Sequence, residues 1–138
     1  MRRFLALAIV ALAPLLGAGC GSDSITDPRQ AVAGSYALMS FDGKQLPATI
    51  LAGDPQVDVV SDELMLTSSG SFTQNTTFRV TESGVTSTQA VADVGTYTVS
   101  GSTVTFRFSA DNSTGTATVV ADGLSITSEG HTLAYAKR

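Results

Sequence analysis

The chain has no tryptophan, one cysteine (Cys20) and one histidine (His131) in 138 residues. A single His and a single Cys cannot supply the three or four nitrogen and sulfur ligands of a zinc or copper centre, so no metal is expected. With no second thiol in the sequence, stability has to come from a core and from sheet hydrogen bonds. No serine stands in a G-x-S-x-G setting, and His131 offers a nucleophile only one base. Nothing singles out a carboxylate pair for glycoside hydrolysis. Neither a cofactor nor enzymatic activity is therefore expected. Charge is also scarce, at 14% of residues, and no cluster of Lys and Arg suits nucleic acid. Helical periodicity is nearly missing; only 47–52 (PATILA) could make a helical turn.

What is present begins with MRRFLALAIVALAPLLGAGC at positions 1–20. Arg2 and Arg3 form a positive start, Phe4 to Leu16 an apolar stretch, and Gly17-Ala18-Gly19 a small-residue cleavage region. The stretch is about 13 residues long, against the roughly 20 needed to cross a hydrocarbon core, and Pro14 interrupts it. Residues 1–19 resemble a bacterial lipoprotein signal peptide, in which the following cysteine is acylated and becomes the new N-terminus. The leucine usual three places before that cysteine is replaced here by Gly17, with Leu16 one step further back. Gly17 and Gly19 would also suit ordinary signal-peptidase cleavage, but that would leave a lone thiol on an exported protein. The resemblance implies lipidation at Cys20 and a membrane-anchored protein of the cell envelope. Gly21, where aspartate would signal inner-membrane retention, favours the outer membrane in a two-membrane organism.

Without 1–19, 119 residues remain, enough for one domain. Removal of Arg2 and Arg3 leaves six basic against twelve acidic residues, a net charge of −6. Such a balance opposes a basic surface resting on anionic lipid. Residues 20–32, polar and carrying Pro28, read as a lipid-anchored flexible tether. The domain spans 33–138.

Over that domain, short β-branched and aromatic runs alternate with glycine-containing turns. Strands are predicted at 34–41, 46–51, 57–67 (with a break near Ser61-Asp62), 71–81, 91–99, 102–109, 114–121, 123–128 and 131–136. Phe72, Phe78 and Val80 share one face of their strand, opposite Thr73, Asn75, Thr77 and Arg79. Val104, Phe106 and Phe108 likewise oppose Thr103, Thr105, Arg107 and Ser109. Period 2 with one dry face marks antiparallel strands around one core. Asp42-Gly43 and Asp122-Gly123 suit tight type I′ hairpins; Ser69-Gly70, Ser83-Gly84, Ser100-Gly101 and Glu129-Gly130 are weaker turns. So many hairpins imply an all-β, antiparallel up-and-down barrel of about 8–9 strands, because closure removes exposed edges. A two-sheet β-sandwich is the alternative. Pairing of the last strand with the first separates them.

Gly34-x-Tyr36-x-Leu38, then Asp42-Gly43, then Leu46-Pro47, the pair GTYTVSGSTVTF at 95–106 and the terminal Lys137-Arg138 together resemble the lipocalin-like domains of small bacterial lipoproteins. This resemblance covers 33–138. Lipocalins carry a tryptophan on the first strand with a basic residue across it. Here it implies that Tyr36 takes the ring's place and Lys137 or Arg138 the cation's, as a structural cation–π pair.

The remaining candidates carry bland readings. His131 reads as a solvated turn residue. Asp54, Asp58, Asp62 and Glu63 could form a loose calcium site, but their spacing is not that of an EF-hand loop, and Asp58 between Val57 and Val59 reads as the wet face of a strand. Phe72, Phe78, Phe106 and Phe108 could line a cavity, although short strands and inward aromatics favour a filled interior. Arg79 and Arg107 face outward and are not ligand clamps. No ligand-binding residue can be named. The expected function is binding of a small apolar or amphipathic molecule in the barrel. The alternative is a non-catalytic structural or interaction module with a side-chain-filled barrel, whose protein partner is unknown; the loop 83–90 is the obvious tip for either use.

Overall fold

The computed structural model describes residues 26–138, so the signal peptide at 1–19, Cys20 and the first part of the tether lie outside the described residues. The strands are β1 (Gly34–Phe41), β2 (Lys44–Gln45), β3 (Ala48–Leu51), β4 (Gln56–Leu66), β5 (Ser71–Glu82), β6 (Val85–Ser100), β7 (Thr103–Phe108), β8 (Thr114–Val120), β9 (Gly123–Ser128) and β10 (His131–Lys137). One short helix, α1 (Pro28–Val32), precedes them. Strands β4 to β10 form a continuous antiparallel meander, and β1 lies between β10 and β4. Leu38 pairs with Tyr135 on one side of β1, and Tyr36 with Leu64 on the other. These two ladders close an eight-strand up-and-down barrel and exclude the sandwich. Strands β2 and β3 are extra, pairing with the ends of β1 and β4. The strand expected at 46–51 is β3, and the helical turn that 47–52 could have made does not form; Ala48–Leu51 is held by its ladder to β4.

The core follows the predicted alternation. Phe72, Val104, Phe106, Tyr97, Leu124 and Tyr135 are buried. β4 departs from it at a bulge between Val59 and Ser61. A bulge inserts one residue and reverses the phase of the faces. Val59 is buried before it, and Asp62, Leu64 and Leu66 are buried after it. The break anticipated near Ser61-Asp62 is this bulge, and it turns an acid inward.

Asp42-Gly43, Ser83-Gly84 and Glu129-Gly130 have both residues at positive φ, as type I′ hairpins require. Asp122-Gly123 does not. There Val120 pairs with Gly123, so the turn residues are Ala121 and Asp122. Gly123 is instead a strand residue, whose Cβ would overlap the Tyr135 carbonyl on β10.

The tether reading fails for 28–32. Asp27 caps α1 by accepting from the Arg29 amide at 3.0 Å, and Pro28 begins the helix, where its missing N–H costs nothing. Five residues are too few for a stable isolated helix, so docking holds it. The Tyr36 hydroxyl donates to the Val32 carbonyl at 2.6 Å, the Lys137 ammonium to the Ala31 carbonyl at 3.0 Å, and Val32 is buried. Lys137 also lies 5.7 Å from the centre of the Tyr36 ring, the pair expected from the sequence. Arg138 pairs with Glu63 instead, at 3.2 Å. Thus α1 plugs the barrel end at which β1 begins, and the opposite end carries the turns 42–43 and 129–130 and the loop 109–113.

Candidate functional site

The unplugged end holds two cavities. The larger has a volume of about 470 Å³ and is walled by Leu64, Phe72, Phe106, Phe108, Ile126 and Leu133, with exposed Ser113, Thr114, Thr116 and Ser128 at its mouth. Phe72 meets Phe106 and Phe108 edge-on, with ring centres 5.1 and 5.3 Å apart. The smaller, about 250 Å³, is lined by Phe41, Ile50, Val59, Phe78 and Asp62 among others. It lies where β1 and β4 diverge toward β2 and β3. Gln74 and Leu133 wall both cavities. A volume of several hundred Å³ is the size of ordinary small-molecule sites, so the interior is only partly filled. The four aromatics named from the sequence all line this space.

The polar group in the wall is one the alternation did not mark as inward. Asp62 is 4% exposed. Its Oδ2 accepts from the Tyr135 hydroxyl at 2.8 Å and from the Gln74 amide at 2.7 Å. Its Oδ1 is buried without a hydrogen-bond partner. Burial raises the Asp62 pKa above the usual carboxylate range, opposed by the hydrogen bonds from Gln74 and Tyr135 and by the nearby Thr76 hydroxyl, and reinforced by Asp93. Burial, and then the Asp62 charge, push the Tyr135 phenol upward. At neutral pH the phenol is therefore a donor.

The other candidates disperse. Asp58 faces out from β4, yet its side chain is buried, because Thr49, Gln56 and Arg79 all donate to it. The Arg79 guanidinium, 2.7 Å from Oδ2, holds that carboxyl below its ordinary range. Asp54 accepts from the Ser83 amide at 2.8 Å, and Glu63 faces Arg138. Among the described residues no three His, Cys, Asp or Glu side chains gather as a metal set, so the calcium possibility has no support in the geometry. His131, expected as a turn residue, is instead exposed at the start of β10; its Nδ1 lies 2.7 Å from Asp42 Oδ2. Asp42 also accepts from the Thr132 amide at 2.8 Å, which joins the β1–β2 turn to the start of β10. Arg107 is exposed and donates to Asn112. The loop at 83–90 proves to be two turn residues, with Val85–Ala90 continuing β6 in register with β5.

No protein-family model matches the chain, and no curated protein matches it. A solved structure to which it is similar is that of an uncharacterised protein from Bacteroides eggerthii, at 15% identity and a TM-score of 0.46, covering 78% of this chain and 99% of that one.

Proposed function

We propose that the chain is a lipid-anchored envelope protein, in the manner of the lipocalin-like bacterial lipoproteins, whose barrel takes up one small apolar or amphipathic molecule. The observation that supports uptake is the aromatic-walled cavity of about 470 Å³ at the unplugged end. The anchor rests on the leader and Cys20. Two or three acyl chains, at about 0.8 kcal/mol per buried methylene, hold a protein durably. Six residues separate Cys20 from Asp27, the cap of the plugging helix, and the seven Cα steps reach at most about 25 Å. In this reading the plugged end lies toward the bilayer and the cavity mouth away from it, so the ligand arrives from the aqueous side.

Native mass spectrometry of the full chain carrying Cys20→Ser, purified from its own host, tests uptake. A small molecule of constant mass retained on the barrel is expected, and protein that is consistently empty argues against it. The anchor is tested by fractionating cells: Cys20→Ser should move the protein from the membrane to the soluble fraction, and continued membrane association would refute acylation there.

One observation favours the second reading, an interaction module. β6 pairs with β7 only over residues 95–100. Residues 85–93 thus have β5 on one side and, among the described residues, no strand on the other. Val85 and Val91 are 71% and 45% exposed there, and 85–92 carries no charge. Native protein edges are usually blunted by charge or proline, and two copies could pair antiparallel along this one. The same spectra decide it, since empty protein at twice the monomer mass would favour this reading.

A further inference from the structure

Asp62 is a carboxyl in a place where burial penalises its charge. Tyr135 and Gln74 use one oxygen, while Oδ1 is enclosed and unpaired. The charged group that acts on it is Asp93, of the same sign. Among the described residues, Arg29 pairs with Asp27, Arg79 with Asp58, Arg107 with Asn112, Lys137 with Ala31 and Arg138 with Glu63, while Lys44 acts on Asp42. The wall of the smaller cavity therefore carries an unfilled acceptor beside a like charge, with the larger cavity beyond Gln74 and Leu133.

We infer that the ligand is an amphipathic amine, whose ammonium donates to Asp62 Oδ1 and whose apolar body lies against Phe41, Val59 and Phe78, which line the same cavity as Asp62. This inference rests on the reading that the barrel binds a small molecule. An alcohol could satisfy Oδ1 but would leave the buried charge uncompensated, whereas an ammonium does both; charge-assisted hydrogen bonds are about twice as strong as neutral ones. A fatty carboxylate would meet Asp62 and Asp93 as like charges.

The test uses the full chain carrying Cys20→Ser without detergent, the neutral apolar dye Nile red as reporter, and decylamine, decan-1-ol and decanoate as competitors near neutral pH. Decylamine should displace the dye at concentrations about tenfold below those of decanol, with decanoate weakest. Asp62→Asn should abolish the preference for the amine over the alcohol. In the Cys20→Ser protein with Asp62 intact, the preference should also fade as pH drops toward the ordinary carboxylate value of about 4, because protonated Asp62 no longer attracts a cation. Dye that binds but yields equally to amine and alcohol, or a preference that survives in Asp62→Asn, overturns the amine assignment and leaves uptake standing. Dye that never binds removes uptake itself. Should Asp62→Asn lose its β circular dichroism, the pH series decides, and a preference that holds to about pH 4 counts against the inference.

Discussion

Replacing Phe72 with alanine should lower the stability of the barrel by roughly 3–5 kcal/mol, the range for deleting a buried aromatic ring. Phe72 is 2% exposed. Its ring presents an edge-on contact to Phe106 and to Phe108, at interplanar angles of 79° and 83°, each worth about a further 0.5–1.5 kcal/mol beyond area burial. Collapse into the gap is hindered, because a cavity already borders this ring and the neighbouring side chains are tied to strands of a closed sheet. The loss is large for a domain whose total stability is of order 5–15 kcal/mol, so thermal unfolding should begin well below that of the parent. Phe72→Leu, which retains most of the volume and gives up the ring edges, should cost clearly less. Equilibrium urea unfolding of the three proteins checks this ordering. A cost for Phe72→Ala under about 1 kcal/mol would mean that the ring does not pack as described.

Much of the fold was legible because its determinants are local and periodic. Alternation placed Phe72, Val104, Phe106 and Tyr97 inward, and each is buried. Hairpins left the chain few topologies except a meander, and the edge penalty favoured closure, which the β1–β10 and β1–β4 ladders supply. The failures have a common physical origin, in pairing and docking partners that the local pattern of a segment does not display. Pro28–Val32 is helical because Tyr36, on the strand that follows, and the far-off Lys137 cap its carbonyls. Val85–Ala90, polar enough to read as a loop, is a strand because β5 pairs with it residue for residue.

The candidate site was half legible. Its apolar wall followed from period 2, and the four phenylalanines were named correctly as a group. Asp62, Gln74 and Tyr135 were not brought together, because the bulge at Val59–Ser61 reverses the face of β4 and Asp62 looked like one more surface acid. A signal was present: Val57 and Val59 are odd-numbered, whereas Leu64 and Leu66 are even. One dry face cannot hold both sets without an inserted residue, and counting back from Leu64 by twos reaches Asp62. Cavity volume had no such signature. Whether four inward aromatics fill a barrel depends on its shear and on where its strands diverge, as β1 and β4 do.

Gly95→Ala should be more damaging than its single added methyl suggests. Gly95 stands on β6 directly opposite Phe72 on β5 and opposite Phe108 on β7. A Cβ there would overlap the Arg107 carbonyl oxygen and lie 2.7 Å from Phe72 Cε1. The first obstacle is backbone of a paired strand, which can yield only by breaking the ladder; the second is a ring already held by two others. Overpacking of this kind costs about 1–3 kcal/mol and sometimes more, and we expect the upper end, with Gly95→Val failing to fold. Gly115→Ala is the control within the same sheet. Its Cβ would come no closer than 3.7 Å to Phe108 Cε2, an ordinary contact, so that variant should match or slightly exceed the parent, as glycine replacement without strain does by about 0.4–1 kcal/mol. Combining Gly95→Ala with Phe72→Ala separates the two obstacles. If the ring dominates, the double variant will be markedly more stable than the sum of the single losses implies. If the Arg107 carbonyl dominates, the losses will add to within about 0.5 kcal/mol. Equal stability of Gly95→Ala and Gly115→Ala would show that β6 and β7 stand further apart at this point than their register requires.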